Sequence, residues 1–411
     1  MPSPSPERLA ITGWGSVSAL GEDTASTWIR LIRGDHVRGP IHNFPVEGCR
    51  VTEGAEAPLP PLDWLAPKEV RRLGRASRLA LPAAREALGH AGLLNAHGRC
   101  TLPELEMSLS TTACSMERIE AFVRQVWAAP ASHRHKKQLL RVATYQSQQQ
   151  VKDLQTHLNF SGSATLISNA CAGGANAIGH ASDLIRSGLA DIVLTGGYDP
   201  LCELVFCGFD SLQSLAPEHC RPFDRQRNGL MLGEGAGFLV LESETHATRR
   251  GAPIRGFLAG YGHSTDTFHL TQPAADGAPL ERAIHAALQR ARMKPEEVGY
   301  INAHGTGTPF NDRAEANAFS RVFGEELSEI KLSSTKAAIG HTLGAAGSLE
   351  AIFCLQALND GHIPPQLHTN DPEPLVASSL AKPGDKMARK VALSVNLGFG
   401  GSNAALLFTT P

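Results

Sequence analysis

The chain has 411 residues, 42% hydrophobic and 19% charged, enough apolar material for a well-buried globular protein. That length exceeds one ordinary core, so two domains or two fused halves are expected. Thirty-eight basic residues against 40 acidic ones leave a net charge of −2, which excludes a globally basic nucleic-acid binder and leaves only local basic patches.

Aromatics are sparse at 6%, so the interior is expected to be built from Ala, Leu, Val and Ile. The N-terminal "MPSPSPERLAITGWG" has no apolar signal core, and no run approaches the ~18 apolar residues of a membrane span. The chain therefore reads as soluble and cytoplasmic. None of the eight cysteines forms a Cys-x-x-Cys pair or a zinc-like Cys/His spacing, and Cys202 and Cys207, the nearest pair, read as reduced thiols.

After a Pro/Ser tail read as disordered, "LAITGWGSVSALG" reads as a strand entering a glycine turn. Gly13-Trp14-Gly15 is no dinucleotide fingerprint, because Ser18 stands where the third glycine belongs. Residues 40 to 66 read as a Pro-rich surface excursion. "PKEVRRLGRASRLALPAAREALGHAGL" is helical, with Leu73, Ala76, Ala80, Ala84 and Leu88 on one stripe, and Pro82 is expected to kink or divide it. "LEMSLSTTACS" is a strand, and 117 to 157 is polar, helix-prone and locally basic. Next, "ATLISNA" reads as a buried strand and "AGGANAIGHASDLIRSG" as a helix with Ile178, Ala181, Leu184 and Ile185 inward. "ADIVLTGG" follows as a strand, completing a βαβ unit that implies parallel pairing. The second part repeats the logic: "APIRGFLAGYG" as strand, "APLERAIHAALQRARM" as helix, and "VGYINAHGTGT" as a strand ending in His and glycines. "SSTKAAIGHTLGAAGSLEAIFCLQAL" runs from loop into helix, and "KVALSVNLGFGGSNAALLFT" is two strands around a glycine corner.

Four strand or turn ends carry reactive or rigid groups, where open α/β sheets place ligands. Cys171 precedes a helix N-terminus, which would lower a thiol pKa, and Ala172, Gly173 and Gly174 leave room beside it; it is either a nucleophile or a buried structural thiol. His304 is either a donor into a pocket or a satisfied core histidine. Lys336 and His341 flank a turn of small apolar neighbours, an unconvincing setting for a solvated lysine. Gly398, Gly400 and Gly401 around Phe399 allow its backbone N–H to approach a ligand. A thiol and two histidines of this kind suit acyl transfer through a thioester, with an oxyanion held by backbone N–H groups.

"NACAGGANAIGHA", "NAHGTGTPFNDRAEA", "SSTKAAIGHTLGAAGSLEA" and "NLGFGGSNAALLF" resemble the four signature stretches of the elongating β-ketoacyl-acyl-carrier-protein synthases, in the family's order. "TGWGSVSALG", "PAAREALGHAGL" and "RPFDRQRNGLMLGEGAGFLVLE" extend the resemblance over about residues 9 to 409. It implies an α/β thiolase fold with duplicated βαβαβαββ halves in a five-layered α-β-α-β-α sandwich, here 1–250 carrying the nucleophile and 251–411 carrying the two histidines. The implied enzyme is an acyltransferase, usually a homodimer or a heterodimer with a related ketosynthase-like subunit. Cys171 would take the acyl chain from carrier-protein phosphopantetheine, with the Cys171 and Phe399 N–H groups as oxyanion hole and Phe399 as gate. His304 and His341 would bind the malonyl thioester and assist loss of CO2, and Lys336 would tune that site. Thr306, Thr308, Gly400 and Ala113 would line the substrate path. No metal or resident cofactor is implied, and no nucleic acid or membrane partner.

An acidic carrier protein needs a basic landing site. Arg71, Arg72, Arg75 and Arg78 lie at spacings that could share a helix face, with Arg134, Lys136 and Lys137 as a second cluster. Against the family pattern, Asn169 replaces a Thr, Leu397 replaces the first Phe of the Phe-Gly-Phe-Gly-Gly run, and 116 to 163 matches poorly. The small side chains of "TTACS" suggest a deep acyl pocket for long or rigid chains. Because these departures cluster on the pocket side, a specialised type II polyketide or polyene synthase is favoured over a housekeeping fatty-acid elongase. A non-catalytic chain-length or scaffolding partner is the other-class alternative, against which Cys171, His304 and His341 together count. A simple cysteine hydrolase would have no use for two histidines and Lys336.

Overall fold

The computed structural model describes residues 8–128 and 143–411; the N-terminal tail and the run with Arg134, Lys136 and Lys137 lie outside the described residues. The described strands are β1 (Leu9–Val17), β2 (Gly39–Pro40), β3 (Glu53–Gly54), β4 (Glu106–Ser110), β5 (Ala164–Ile167) and β6 (Ile192–Asp199). They continue as β7 (Gly235–Ser243), β8 (Gly256–Thr265), β9 (Tyr300–Asn302), β10 (Lys331–Ser333), β11 (Val391–Gly398) and β12 (Ser402–Thr409). β2 and β3 pair with each other, and the remaining strands form a 10-stranded sheet in the order β10-β9-β11-β12-β8-β1-β7-β6-β4-β5.

That order contains a duplication. Counted from its own first strand, each half reads third, second, fourth, fifth, first from outer edge to seam. The second half follows the succession βαβαβαββ along the chain, and the first follows it with β2–β3 and the helix Glu203–Ser211 inserted. The halves join where Leu9, Ala10 and Ile11 pair antiparallel with Leu258, Phe257 and Gly256. β5 and β6, the two strands of the βαβ unit read from the sequence, run parallel but do not pair: β4 stands between them and is parallel to both.

Helices complete five layers. Arg75–His90 packs on β1 and β7, with Ser147–Leu158 beside it, on one outer face. Ala278–Ala291 packs on β8 and β12, with Pro309–Phe323 beside it, on the other. Between the halves, Gly173–Arg186 lies against Ala346–Asp360. Ala346–Asp360 has apolar residues buried all round, including Leu349, Ile352, Phe353 and Leu355, as a central helix must. The two central helices approach so closely that a Cβ on Gly347 would sit 2.4 Å from the Ala175 backbone nitrogen. Two strand-to-helix turns are thereby forced together at one end of the sandwich.

Two expectations need correction. "ATLISNA" is not a buried strand: β5 is the sheet's edge, with Ala164 and Thr165 exposed. Its alternation of apolar residues is compatible with burial, but nothing in a short run specifies edge or centre. Pro82 does not divide its helix, which runs unbroken from Arg75 to His90; the interruption falls earlier, between Val70 and Arg75. Packing of Leu79, Ala80, Leu81, Ala83 and Ala84, all 0% exposed, offsets the hydrogen bond that Pro82 cannot make.

Candidate active site

Cys171 lies in a tight turn, Ala170–Ala172, that opens directly into the helix Gly173–Arg186. Ala170 has φ +56°, left-handed backbone that costs a non-glycine residue about 1–2 kcal/mol and aims the next side chain away from the helix. His304 follows β9, and its N–H is fixed by Glu315 Oε1 at 2.7 Å. His341 lies between the short helix Lys336–Ile339 and Ala346–Asp360, tied on both sides to the Met231–Gly233 segment. The β11–β12 turn closes the site: a Cβ on Gly398 would lie 3.3 Å from the Cys171 nitrogen.

These segments bring the Cys171 Sγ and one nitrogen each of His304 and His341 within 4.8 Å of one another, all three buried. The imidazole centroids are 5.2 Å apart with the rings nearly perpendicular. His341 Nδ1 accepts from the Leu343 N–H at 3.4 Å, which leaves the proton on Nε2, a buried atom without a protein partner. Burial, and then the nearby Lys336 ammonium, hold both histidines well below the ordinary imidazole range. Both are neutral, each with an N–H to give.

Lys336 is 2% exposed and pairs with the equally buried Glu350. The other Glu350 oxygen accepts from Asn396 Nδ2 at 2.6 Å. A buried ammonium so compensated is a fixed positive charge beside the thiol and both imidazoles. Burial pushes the Cys171 thiol up to about 11, while the Lys336 charge and the Phe399 N–H pull it down. The expectation of a lowered thiol pKa is therefore corrected: the turn before the helix buries the sulfur too completely. The Phe399 N–H hydrogen-bonds the sulfur, so it lies beside the nucleophile.

A cleft of about 430 Å³ opens onto Cys171, His304 and His341, with Thr306, Thr308, Leu397 and Phe399 in its wall. The Thr306 and Thr308 hydroxyls hydrogen-bond each other at 2.9 Å. The Phe399 ring stands 5.6 Å from that of Phe209, and both line the cleft. Neither Gly400 nor Ala113 is in the wall: the Gly400 N–H is held by the Leu270 carbonyl, and the Ala113 N–H by Asp199 at 2.8 Å.

The arginines separate. Arg71 and Arg72 are exposed in the turn between two helices. Arg75 points inward, its Nε 2.7 Å from an oxygen of Glu234, which is 0% exposed. Arg75 is thus removed from the docking set; its charge neutralises a buried carboxylate. Arg78 is half-buried.

Glu350, Asn396, Glu315, Asp199 and Phe209 escaped the reading of the sequence. Asp199 ends β6 and receives the N–H groups of Thr112, Ala113 and Gly344, joining both halves under the site. Its only signal was an acid at the end of a buried strand, "ADIVLTGGYD".

Residues 6–247 match the family model "Beta-ketoacyl synthase, N-terminal domain" and 255–370 match "Beta-ketoacyl synthase, C-terminal domain". "Nodulation protein E" of Rhizobium meliloti (strain 1021) is 36% identical over 404 residues, covering 98% of each chain. "3-oxoacyl-[acyl-carrier-protein] synthase 2" of the same organism is 36% identical over 431 residues, covering 97% of this chain and 98% of that one. Among solved structures, "The ishigamide ketosynthase/chain length factor" superposes with a TM-score of 0.90 at 32% identity, covering 99% of this chain and 100% of that one.

Proposed function

The chain belongs to the β-ketoacyl synthase family, and from that premise we propose how its residues divide the work. The enzyme is an acyltransferase of the 3-oxoacyl-[acyl-carrier-protein] synthase type, joining an acyl chain to a malonyl unit by decarboxylative Claisen condensation.

In the proposed first half-reaction, Cys171 Sγ attacks the thioester carbonyl of an acyl chain delivered on carrier-protein phosphopantetheine. The carbonyl oxygen gathers charge against the Cys171 and Phe399 N–H groups, and the phosphopantetheine thiol leaves. In the second, the malonyl thioester oxygen takes hydrogen bonds from neutral His304 and His341. The malonyl carboxylate departs as CO2, its bond electrons forming an enolate whose carbon attacks the acyl-Cys171 carbonyl and expels the sulfur as thiolate, which takes one proton from solvent to restore the thiol. Lys336 touches neither substrate; its charge steadies the site as negative charge moves through it. Loss of CO2 makes the step effectively irreversible. Thr306 and Thr308 would line the phosphopantetheine path, and Phe399 with Phe209 would gate the acyl chain.

The observation that carries this reading is one buried thiol and two neutral imidazoles within 4.8 Å at the end of a cleft. We place the division between the halves at residue 250, after β7 and before β8. The exposed edge at β5 is the proposed seat of a second subunit, an identical chain or a ketosynthase-like one; the ishigamide ketosynthase/chain length factor supports such a pairing by analogy. A dedicated polyketide or polyene pathway is favoured over housekeeping synthesis by Leu397, which lies in the cleft wall beside Phe399.

The test is intact-protein mass after incubation with carrier proteins bearing different acyl chains. A gain of one acyl group, absent in Cys171→Ala, supports the assignment, and the best-loaded chain identifies the pathway class. No gain with any chain in a folded sample overturns it in favour of the partner-subunit reading.

A further inference from the structure

Outside the active site, three histidines far apart in sequence meet on one surface. His36, His219 and His368 each bring a ring nitrogen within 4.8 Å of the other two. The His219 and His368 rings stack at 4.4 Å, and His36 stands nearly perpendicular to both, 5.7 Å from His219 and 4.7 Å from His368. None of the three imidazoles has a hydrogen-bond partner among the described residues, and His368 Nε2 is buried without one. Three clustered imidazoles with their lone pairs uncommitted are costly as cations and well suited as ligands.

Arg38 pairs with Glu53 at 2.6 Å and Arg221 with Glu218 at 2.8 Å; these carboxylates offset, without removing, the positive field that Arg221 places on His368. His36, His219, Arg38, Glu53 and Glu218 share one depression of about 410 Å³, room for an ion with its water. His368 has φ +60°, a left-handed conformation that a non-glycine residue adopts at a cost, and here it turns the ring toward its two counterparts.

We propose that His36, His219 and His368 form a binding site for a borderline transition-metal dication, Zn2+ foremost, with water completing a tetrahedron. Imidazole nitrogens select such ions over Mg2+ or Ca2+, and three histidines with one open position are an established zinc arrangement. His36 and His219 are exposed and can turn; the His219 ring must leave its stack on His368 for all three nitrogens to reach about 2 Å from one ion.

Each ligand adjoins a segment of the active site. Val37 N–H donates to the carbonyl of Ala338, in the short helix of Lys336. Cys220 Sγ reaches the Thr306 carbonyl at 3.2 Å. Gln366 accepts from the Ser334 N–H at 2.9 Å. A bound ion pins three loops that brace the catalytic turns from behind, so its role is a clamp.

The cluster of Cys171, His304 and His341 is itself able to hold Zn2+, so the test removes it. Tag-free Cys171→Ala protein, stripped with chelator, is titrated with Zn2+ by calorimetry, and with Co2+ as an optical probe. One ion per chain is expected, with a Kd at least tenfold weaker in His219→Ala and in His368→Asn, since asparagine tolerates the left-handed backbone. In the otherwise native enzyme, saturating Zn2+ should raise the melting temperature, and His219→Ala should abolish that rise, as a clamp requires. Zn2+ binding that is absent in the Cys171→Ala protein, or unchanged by both histidine variants, overturns the proposal.

Discussion

The Lys336 ammonium and the Glu350 carboxylate form an ion pair at 2% exposure each, placed behind the thiol and both histidines. Removing one partner of such a pair strands a charge in the interior. Glu350→Ala should therefore cost about 3–5 kcal/mol in denaturant unfolding, and it also deprives Asn396 of its acceptor. The double replacement Lys336→Met with Glu350→Leu should recover most of that stability but not the condensation rate. Recovery of both would assign the pair to folding alone.

The raised Cys171 thiol has a kinetic consequence. With its pKa near 11, alkylation by iodoacetamide, read by mass, should climb about tenfold per pH unit between pH 7 and 10, because only the thiolate reacts. Lys336→Met removes an attraction for the thiolate, so the rate should be lower at every pH. A plateau before pH 9 would mean that the helix N-terminus outweighs burial.

Acid stability follows from the two histidines. Their folded pKa values are depressed, so below about pH 6.5 the unfolded chain takes up protons that the folded chain refuses. Stability from this source is present above pH 6.5 and lost as pH falls. Each histidine should therefore make the unfolding free energy fall as the pH drops below about 6.5. In His304→Asn with His341→Asn, the fall in unfolding free energy from pH 7 to 5 should be shallower than in the parent. Equal slopes would show that the imidazoles ionise freely in the fold.

Neighbouring arginines should behave in opposite ways. Arg75→Ala leaves Glu234 buried and unpaired, so a stability loss of about 3 kcal/mol or more is expected. Arg71→Glu with Arg72→Glu changes two exposed side chains, and should leave the melting temperature within a degree or two. Acyl loading from carrier protein should fall severalfold and become less sensitive to salt. Loading unchanged by the charge reversal would move the docking site elsewhere.

Where the structure follows the local pattern, the reason is short range. Cys171 with its small neighbours, His304 before glycines and Gly398–Gly401 around Phe399 are each a few consecutive residues whose backbone needs announce a turn at a strand end. The helix Gly173–Arg186 was equally legible, because periodicity is carried by the residues themselves; that β4 would insert between the strands flanking it was not. Arg75 was misplaced because helical spacing describes a face without saying what covers it. Its partner, Glu234, is 159 positions away.

The sequence by itself determined the α/β content of both parts, the motifs whose family resemblance implied the duplication, and which side chains have the chemistry for acyl transfer, since these reside in order and short-range geometry. Tertiary structure alone decided the Lys336–Glu350 pair, the withdrawal of Ala113 and Gly400 from the cleft, the inward turn of Arg75 and the meeting of His36, His219 and His368. It also reversed the expected shift of Cys171. Desolvation depends on how much chain closes over a group, and charges act through space, so neither effect can be read from neighbours along the backbone.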